Sequence, residues 1–110
     1  DIFAHNEHSS FEILTKNVLQ KKMMPTLIRI EVNSKTNTEQ GQAGSEKFIF
    51  VLEGSIEADI NGQKFKLAKN STLYFNASSP HYISNIGKTT AKVLSVGTPV
   101  ALKIEEKSND

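Results

Sequence analysis

The four residues Ile60-Asn61-Gly62-Gln63 constrain this chain more than any others. A two-residue type I′ hairpin needs positive φ at both central positions, and Asn-Gly is the pair that tolerates it. The segments on either side, Ser55–Ile60 and Gln63–Leu67, are therefore expected to pair as antiparallel strands. Ala58 and Ile60 should lie near Phe65 and Leu67 across that hairpin.

Around this hairpin, from about Thr26 onward, short β-branched or aromatic runs alternate with turn signals every eight to twelve residues. That spacing belongs to a sandwich or small barrel, and no helical period of comparable length competes with it. Leu27–Val32 places Ile28, Ile30 and Val32 on one face and Arg29 and Glu31 on the other, as a half-buried strand requires. Asn33–Gly44 then reads as a polar loop. Lys47–Leu52 is apolar on both faces, which predicts a central strand.

Further strands are expected at Thr72–Phe75, Tyr82–Ile86 and Thr90–Val96, with turns at Lys69-Asn70-Ser71 and Gly87-Lys88. Phe11–Thr15 reads as a short strand and Asn17–Lys22 as a loop or a turn of helix. Residues 1–10 and 103–110 are polar and are expected as mobile ends, which leaves a barrel over 11–102.

Composition narrows the class. A chain of 110 residues suits one domain around one core, and 37% hydrophobic with 23% charged residues describes a soluble globular fold. The formal net charge is +1, with charges scattered along the chain, so the composition argues against a nucleic-acid-binding surface in this segment. The absence of cysteine excludes disulfides, thiolate nucleophiles and cysteine-bound metals. The longest apolar run, Phe48–Leu52, is far too short to cross a bilayer as a helix, and no signal peptide is visible. A cytoplasmic protein without membrane contact is the expectation. Neither Gly-x-Gly-x-x-Gly nor a Walker pattern occurs, so nucleotide-driven chemistry has no support.

Two stretches carry a family resemblance. Phe48–Gly54, FIFVLEG, and Tyr74–His81, YFNASSPH, with Asn61-Gly62 between them, resemble the two motifs of the cupin superfamily over roughly Phe11–Pro99. The likeness extends to the C-terminal cupin domain of XRE-type (lambda-repressor-like) helix-turn-helix transcription regulators, through FIFVLEG and PHYISNIGKTTAKVLSVGTP. The resemblance implies an all-β, single-domain, cupin-type jelly-roll β-barrel. It also implies a DNA-binding domain ahead of Asp1, with which the lack of an initial methionine agrees, and a homodimer.

In the family, the first motif supplies two histidines and a glutamate and the second supplies a third histidine, which together hold a divalent metal. Anchored on Gly54, the glutamate position falls here on Lys47, and the first two histidine positions fall on Ala43 and Gly41. His81-Tyr82-Ile83-Ser84-Asn85 keeps the last His-x-x-x-Asn. One imidazole does not make a metal site, which needs about three protein ligands, and an ammonium offers no lone pair. Neither a metal nor another cofactor is expected, and no catalytic residue is assigned. Glu46 is the reserve ligand should the register slip by one residue, in which case Phe48 and Phe50 would also turn inward.

With Lys47 facing His81, the pocket should favour a carboxylate or other small anion. The expected ligand-binding residues are Lys47, His81, Tyr74 and Asn85. Other constellations are weaker. His5-Asn6-Glu7-His8 has a metal-like spacing but sits in a polar terminus. Ser79 shares a face with His81 without a nucleophile elbow. Lys47 as a base or Schiff-base former competes with an ordinary salt bridge.

The leading expectation is an effector-sensing or dimerisation domain of a helix-turn-helix regulator that contacts DNA through another domain. The alternatives are a stand-alone cupin enzyme, of isomerase or dioxygenase type, and a purely structural dimerisation barrel.

Overall fold

Asn61 and Gly62 both adopt positive φ, 52° and 88°, in the computed structural model, which describes residues 2–101. The turn closes as expected. Asp59 Oδ1 accepts a hydrogen bond from the Gly62 amide at 2.8 Å, and the Asn61 amide donates to the Pro80 carbonyl at 2.7 Å. Ala58 faces Phe65 across the hairpin, while Ile60 pairs with Gln63 and Ile56 with Leu67.

In chain order the strands are β1 (Ile2–Asn6), β2 (Ser9–Ile13), β3 (Met24–Ile30), β4 (Glu46–Glu53), β5 (Ile56–Ile60), β6 (Gln63–Leu67), β7 (Thr72–Asn76), β8 (His81–Asn85) and β9 (Ala91–Thr98). They form two antiparallel sheets, one in the order β1-β2-β3-β9-β4-β7 and one in the order β6-β5-β8. Val18–Gln20 makes a single 3-10 turn. The fold is all-β, as the turn spacing predicts.

The core lies between the sheets. Ile30, Ile49, Val51, Ala91 and Val93 come from the larger sheet and meet Ile56, Ala58 and Ile83 from the smaller one. Such burial is the main favourable term for a chain of this size. β4 pairs on both sides, with β7 and β9, which accounts for its unbroken apolar run. Ile49 and Val51 are fully buried inward, whereas Phe48 and Phe50 project from the opposite face, beside Tyr74 and Leu94.

That alternation settles the register. Lys47 shares the inward face with Ile49 and Val51, and Glu46 shares the outward face with Phe48 and Phe50. Glu46 is therefore no reserve ligand.

Two expectations are corrected. β3 ends at Ile30, and Val32, expected on its buried face, stands beyond the strand and is exposed. Of residues 1–10, expected as a mobile end, residues 2–10 instead hold β1 and the start of β2, so the larger sheet extends beyond the expected boundary at residue 11. Phe3 stacks on Phe11 at 5.1 Å. The polar groups of β1 are taken up by the loop at 33–44: Asn6 Nδ2 donates to the Lys35 carbonyl at 2.8 Å, and the Asn37 amide donates to His5 Nε2 at 2.7 Å. Polarity alone therefore did not make this segment a tail. The expected tail at 103–110 lies outside the described residues.

Candidate functional site

β4 carries Lys47 between Phe75 of β7 and Gly97 of β9. Gly97 presents no side chain to the lysine stem, where a Cβ would stand 3.6 Å from Lys47 Cγ. The stem runs inward and its Nζ reaches two partners. It lies 2.9 Å from His81 Nε2 and 3.2 Å from Glu39 Oε2.

His81 opens β8 on the facing sheet and is only 5% exposed. Its Nδ1 sits 2.8 Å from the Ser79 carbonyl oxygen, and its ring meets Phe75 edge-on at 5.1 Å. Glu39 belongs to the 33–44 loop, where its backbone pairs both ways with His81: its amide donates to the His81 carbonyl at 2.8 Å and its carbonyl accepts from the His81 amide at 2.9 Å.

These contacts assign the imidazole's proton. A carbonyl oxygen only accepts, so Nδ1 carries the hydrogen and donates it to Ser79. Nε2 then offers a lone pair, and the Lys47 ammonium donates into it. Burial pushes the His81 pKa below its ordinary value and the Lys47 charge acts in the same direction, against the Ser79 carbonyl and Glu39, which favour the protonated ring. The site is therefore a neutral imidazole and a carboxylate that share one ammonium.

A divalent metal does not fit this set. The single imidazole lone pair is already engaged by Lys47, and Gly41 and Ala43 supply no donor. Among the described residues no group of three or more His, Cys, Asp or Glu side chains is placed to hold a metal ion. His5 and His8, with their metal-like spacing, are committed separately: His5 Nε2 accepts from the Asn37 amide, and His8 sits 3.5 Å from Glu31.

Of the four expected ligand-binding residues, the structure brings Lys47 and His81 together. Asn85 lies on the same face of β8, but its side chain is spent on the backbone. Its Nδ2 donates to the carbonyls of Ile30 (2.9 Å) and Thr89 (2.8 Å), and its Oδ1 accepts from the Gly87 amide at 2.9 Å. It ties β8 to β3 and to the turn before β9. Tyr74 projects outward and is 63% exposed, because Phe75 takes the inward position on β7. Hydrogen bonding to Glu46, its diagonal neighbour on the outer face, pushes the Tyr74 hydroxyl pKa up. Ser79 contributes its carbonyl to His81.

Glu39 was not anticipated. It lies in a loop without hydrophobic period, and its role depends on a pairing with His81 that spans more than forty residues of sequence.

Two antiparallel sheets closing on one core, with His81 at the start of β8 facing Lys47 of β4, define a small β-barrel domain. Residues 26–97 match the family described as Cupin_2: Cupin domain. The chain belongs to the cupin family.

An uncharacterized protein of Methanocaldococcus jannaschii is 33% identical over 70 residues, covering 64% of this chain and 55% of that protein. The tetracenomycin polyketide synthase protein TcmJ of Streptomyces glaucescens is 29% identical over 68 residues, covering 62% of this chain and 46% of its own length. The chain thus spans about half the length of these curated relatives. Among solved structures, the Cupin_2 domain of an XRE family transcriptional regulator from Enterobacter cloacae superposes with a TM-score of 0.77 at 17% identity, over 86% of this chain and all of that one. At that identity the likeness concerns the fold. Among the described residues no helix is long and apolar enough to cross a membrane.

Proposed function

We propose that this chain is a ligand-sensing cupin domain of a helix-turn-helix transcription regulator, and that its site receives a small anion in place of a metal. The observation that carries the reading is the 2.9 Å contact between Lys47 Nζ and His81 Nε2, which puts a fixed cation on the lone pair a metal would need. The fold likeness to the regulator domain from Enterobacter cloacae supports the parent protein. DNA contact then belongs to a separate domain, the near-neutral charge of this one agrees with that division, and a cytoplasmic homodimer is the working state. The effector acts by preferring one dimer arrangement over another.

A thermal-shift screen of small carboxylates, sugars, amino acids and divalent metals tests the reading. Concentration-dependent stabilisation by a carboxylate, lost in Lys47→Met, is expected. Stabilisation by a metal alone, lost in His81→Ala, would overturn it.

A second reading is favoured by the sequence likeness to TcmJ: a small cupin enzyme acting on a metabolite. Lys47 and His81 would then act on a substrate rather than report one. Turnover that disappears in His81→Ala, without any effect of the compound on DNA binding by the parent, distinguishes the two.

A further inference from the structure

We infer that the Glu39 carboxylate is an internal occupant of the anion position on Lys47, and that an external carboxylate binds there by displacing it. The inference rests on the reading of the site as an anion receptor given above.

The ammonium is held from its buried side. His81 is 5% exposed and its ring is fixed by the Ser79 carbonyl at one nitrogen and by Lys47 at the other. Glu39 holds the opposite side loosely. Its side chain is 48% exposed, and one oxygen makes the contact at 3.2 Å, longer than the roughly 2.7–2.9 Å of a tight charge-assisted hydrogen bond.

Exchange requires no movement of the fold. The Glu39 backbone is pinned to His81 by two hydrogen bonds, so its side chain alone turns into solvent while the loop stays in place. The ammonium keeps a counter-charge throughout. With His81 neutral, a monocarboxylate head group arriving as Glu39 leaves takes over the pairing with Lys47, while the displaced Glu39 carboxylate carries its charge into water. A neutral amide or sugar brings no charge with which to displace Glu39, and a cation would meet the ammonium directly. The chemistry of the site therefore favours a carboxylate over neutral and cationic ligands.

A tethered side chain competes at an effective concentration in the millimolar range or above, so its removal should be visible. Acetate and its neutral counterpart acetamide, each titrated against chloride-matched controls, serve as probes in the wild-type chain, Glu39→Ala, Glu39→Gln and Lys47→Met. Binding is followed by amide and His81 ring-nitrogen shifts in NMR, which also report whether each variant keeps the fold and the Nδ1–H tautomer. Glu39→Ala and Glu39→Gln are expected to bind acetate about tenfold more tightly than wild type, acetamide to bind none of the four, and Lys47→Met to bind neither probe.

Equal acetate affinity with and without the Glu39 carboxylate would overturn the inference. So would chloride reproducing the acetate shifts, or folded Glu39→Ala failing to bind acetate. The two readings fail separately. Enhanced acetate binding in a chain whose parent lacks a helix-turn-helix removes the sensor reading and keeps the site, whereas a regulator parent with no acetate binding in Glu39→Ala removes the site alone.

Discussion

Lys47 Nζ and His81 Nε2 face each other at 2.9 Å across the gap between the two sheets, donor to lone pair. The contact joins β4 to β8, strands that share no backbone ladder. It is thus both a site and a cross-sheet tie.

Removing the donor isolates the tie. Lys47→Met keeps most of the stem's packing against Phe75 and Gly97 while leaving Nε2 buried without its partner. An unsatisfied buried acceptor costs about 1–3 kcal/mol, and the half-exposed Glu39 adds little because water replaces the lysine there. Urea denaturation should show a loss of that size. A loss near zero would mean that the contact contributes nothing to the fold.

Acid should act through His81. Its folded-state pKa lies below the ordinary value of 6.5, chiefly because the ring is buried. The unfolded chain therefore takes up the proton first, so this group's contribution is fully present above pH 6.5 and is lost as pH falls through the folded pKa. Urea midpoints should drop over that acidic window, and less steeply in His81→Gln. In an NMR titration Lys47→Met should move the His81 midpoint upward, since a repelling charge has gone. A wild-type midpoint above 6.5 would contradict the assigned geometry.

The same contacts explain what could be read in the sequence. Lys47 and His81 were legible because each occupies a motif position on a strand, and alternation around Ile49 and Val51 tells which way Lys47 points. Tyr74 was misplaced by one step: Tyr74 and Phe75 are both aromatic, and only the pairing of Phe75 with Lys47 reveals which of them faces inward. Glu39 and β1 escaped for different reasons. Glu39 is fixed by backbone hydrogen bonds to His81, distant in the chain, and polar partners leave no period in a sequence, whereas β1 pairs locally with β2 but exposes Ile2 and Ala4, so its apolar residues do not mark a buried face.

Asn85 illustrates the difference between a motif residue and a ligand-binding one. Its side chain makes three hydrogen bonds to backbone groups of Ile30, Gly87 and Thr89. With each bond worth about 1 kcal/mol net and buried partners left unpaired, Asn85→Ala should cost about 2–4 kcal/mol. Acetate affinity of the folded variant, measured below its denaturation midpoint, should stay within about twofold of wild type. A stable variant that has lost acetate binding would return Asn85 to the site.

Two turn glycines separate backbone strain from crowding. Gly62 and Gly54 share nearly the same conformation, with φ of 88° and 83°. A Cβ at Gly62 would meet nothing within 4 Å, whereas at Gly54 it would stand 3.2 Å from Ala91 Cα, a backbone atom of the fully buried start of β9. Gly62→Ala therefore carries only the left-handed penalty, about 1–2 kcal/mol. Gly54→Ala carries that penalty and must also push β9 away from the turn, which overpacking elsewhere puts at about 1–3 kcal/mol more. Denaturation of the two variants side by side should rank Gly54→Ala well below Gly62→Ala in stability. Equal losses would mean that β9 yields freely at Ala91, and the Asn85 tie to Thr89, just ahead of that strand, would then hold its start less firmly than its hydrogen bond implies.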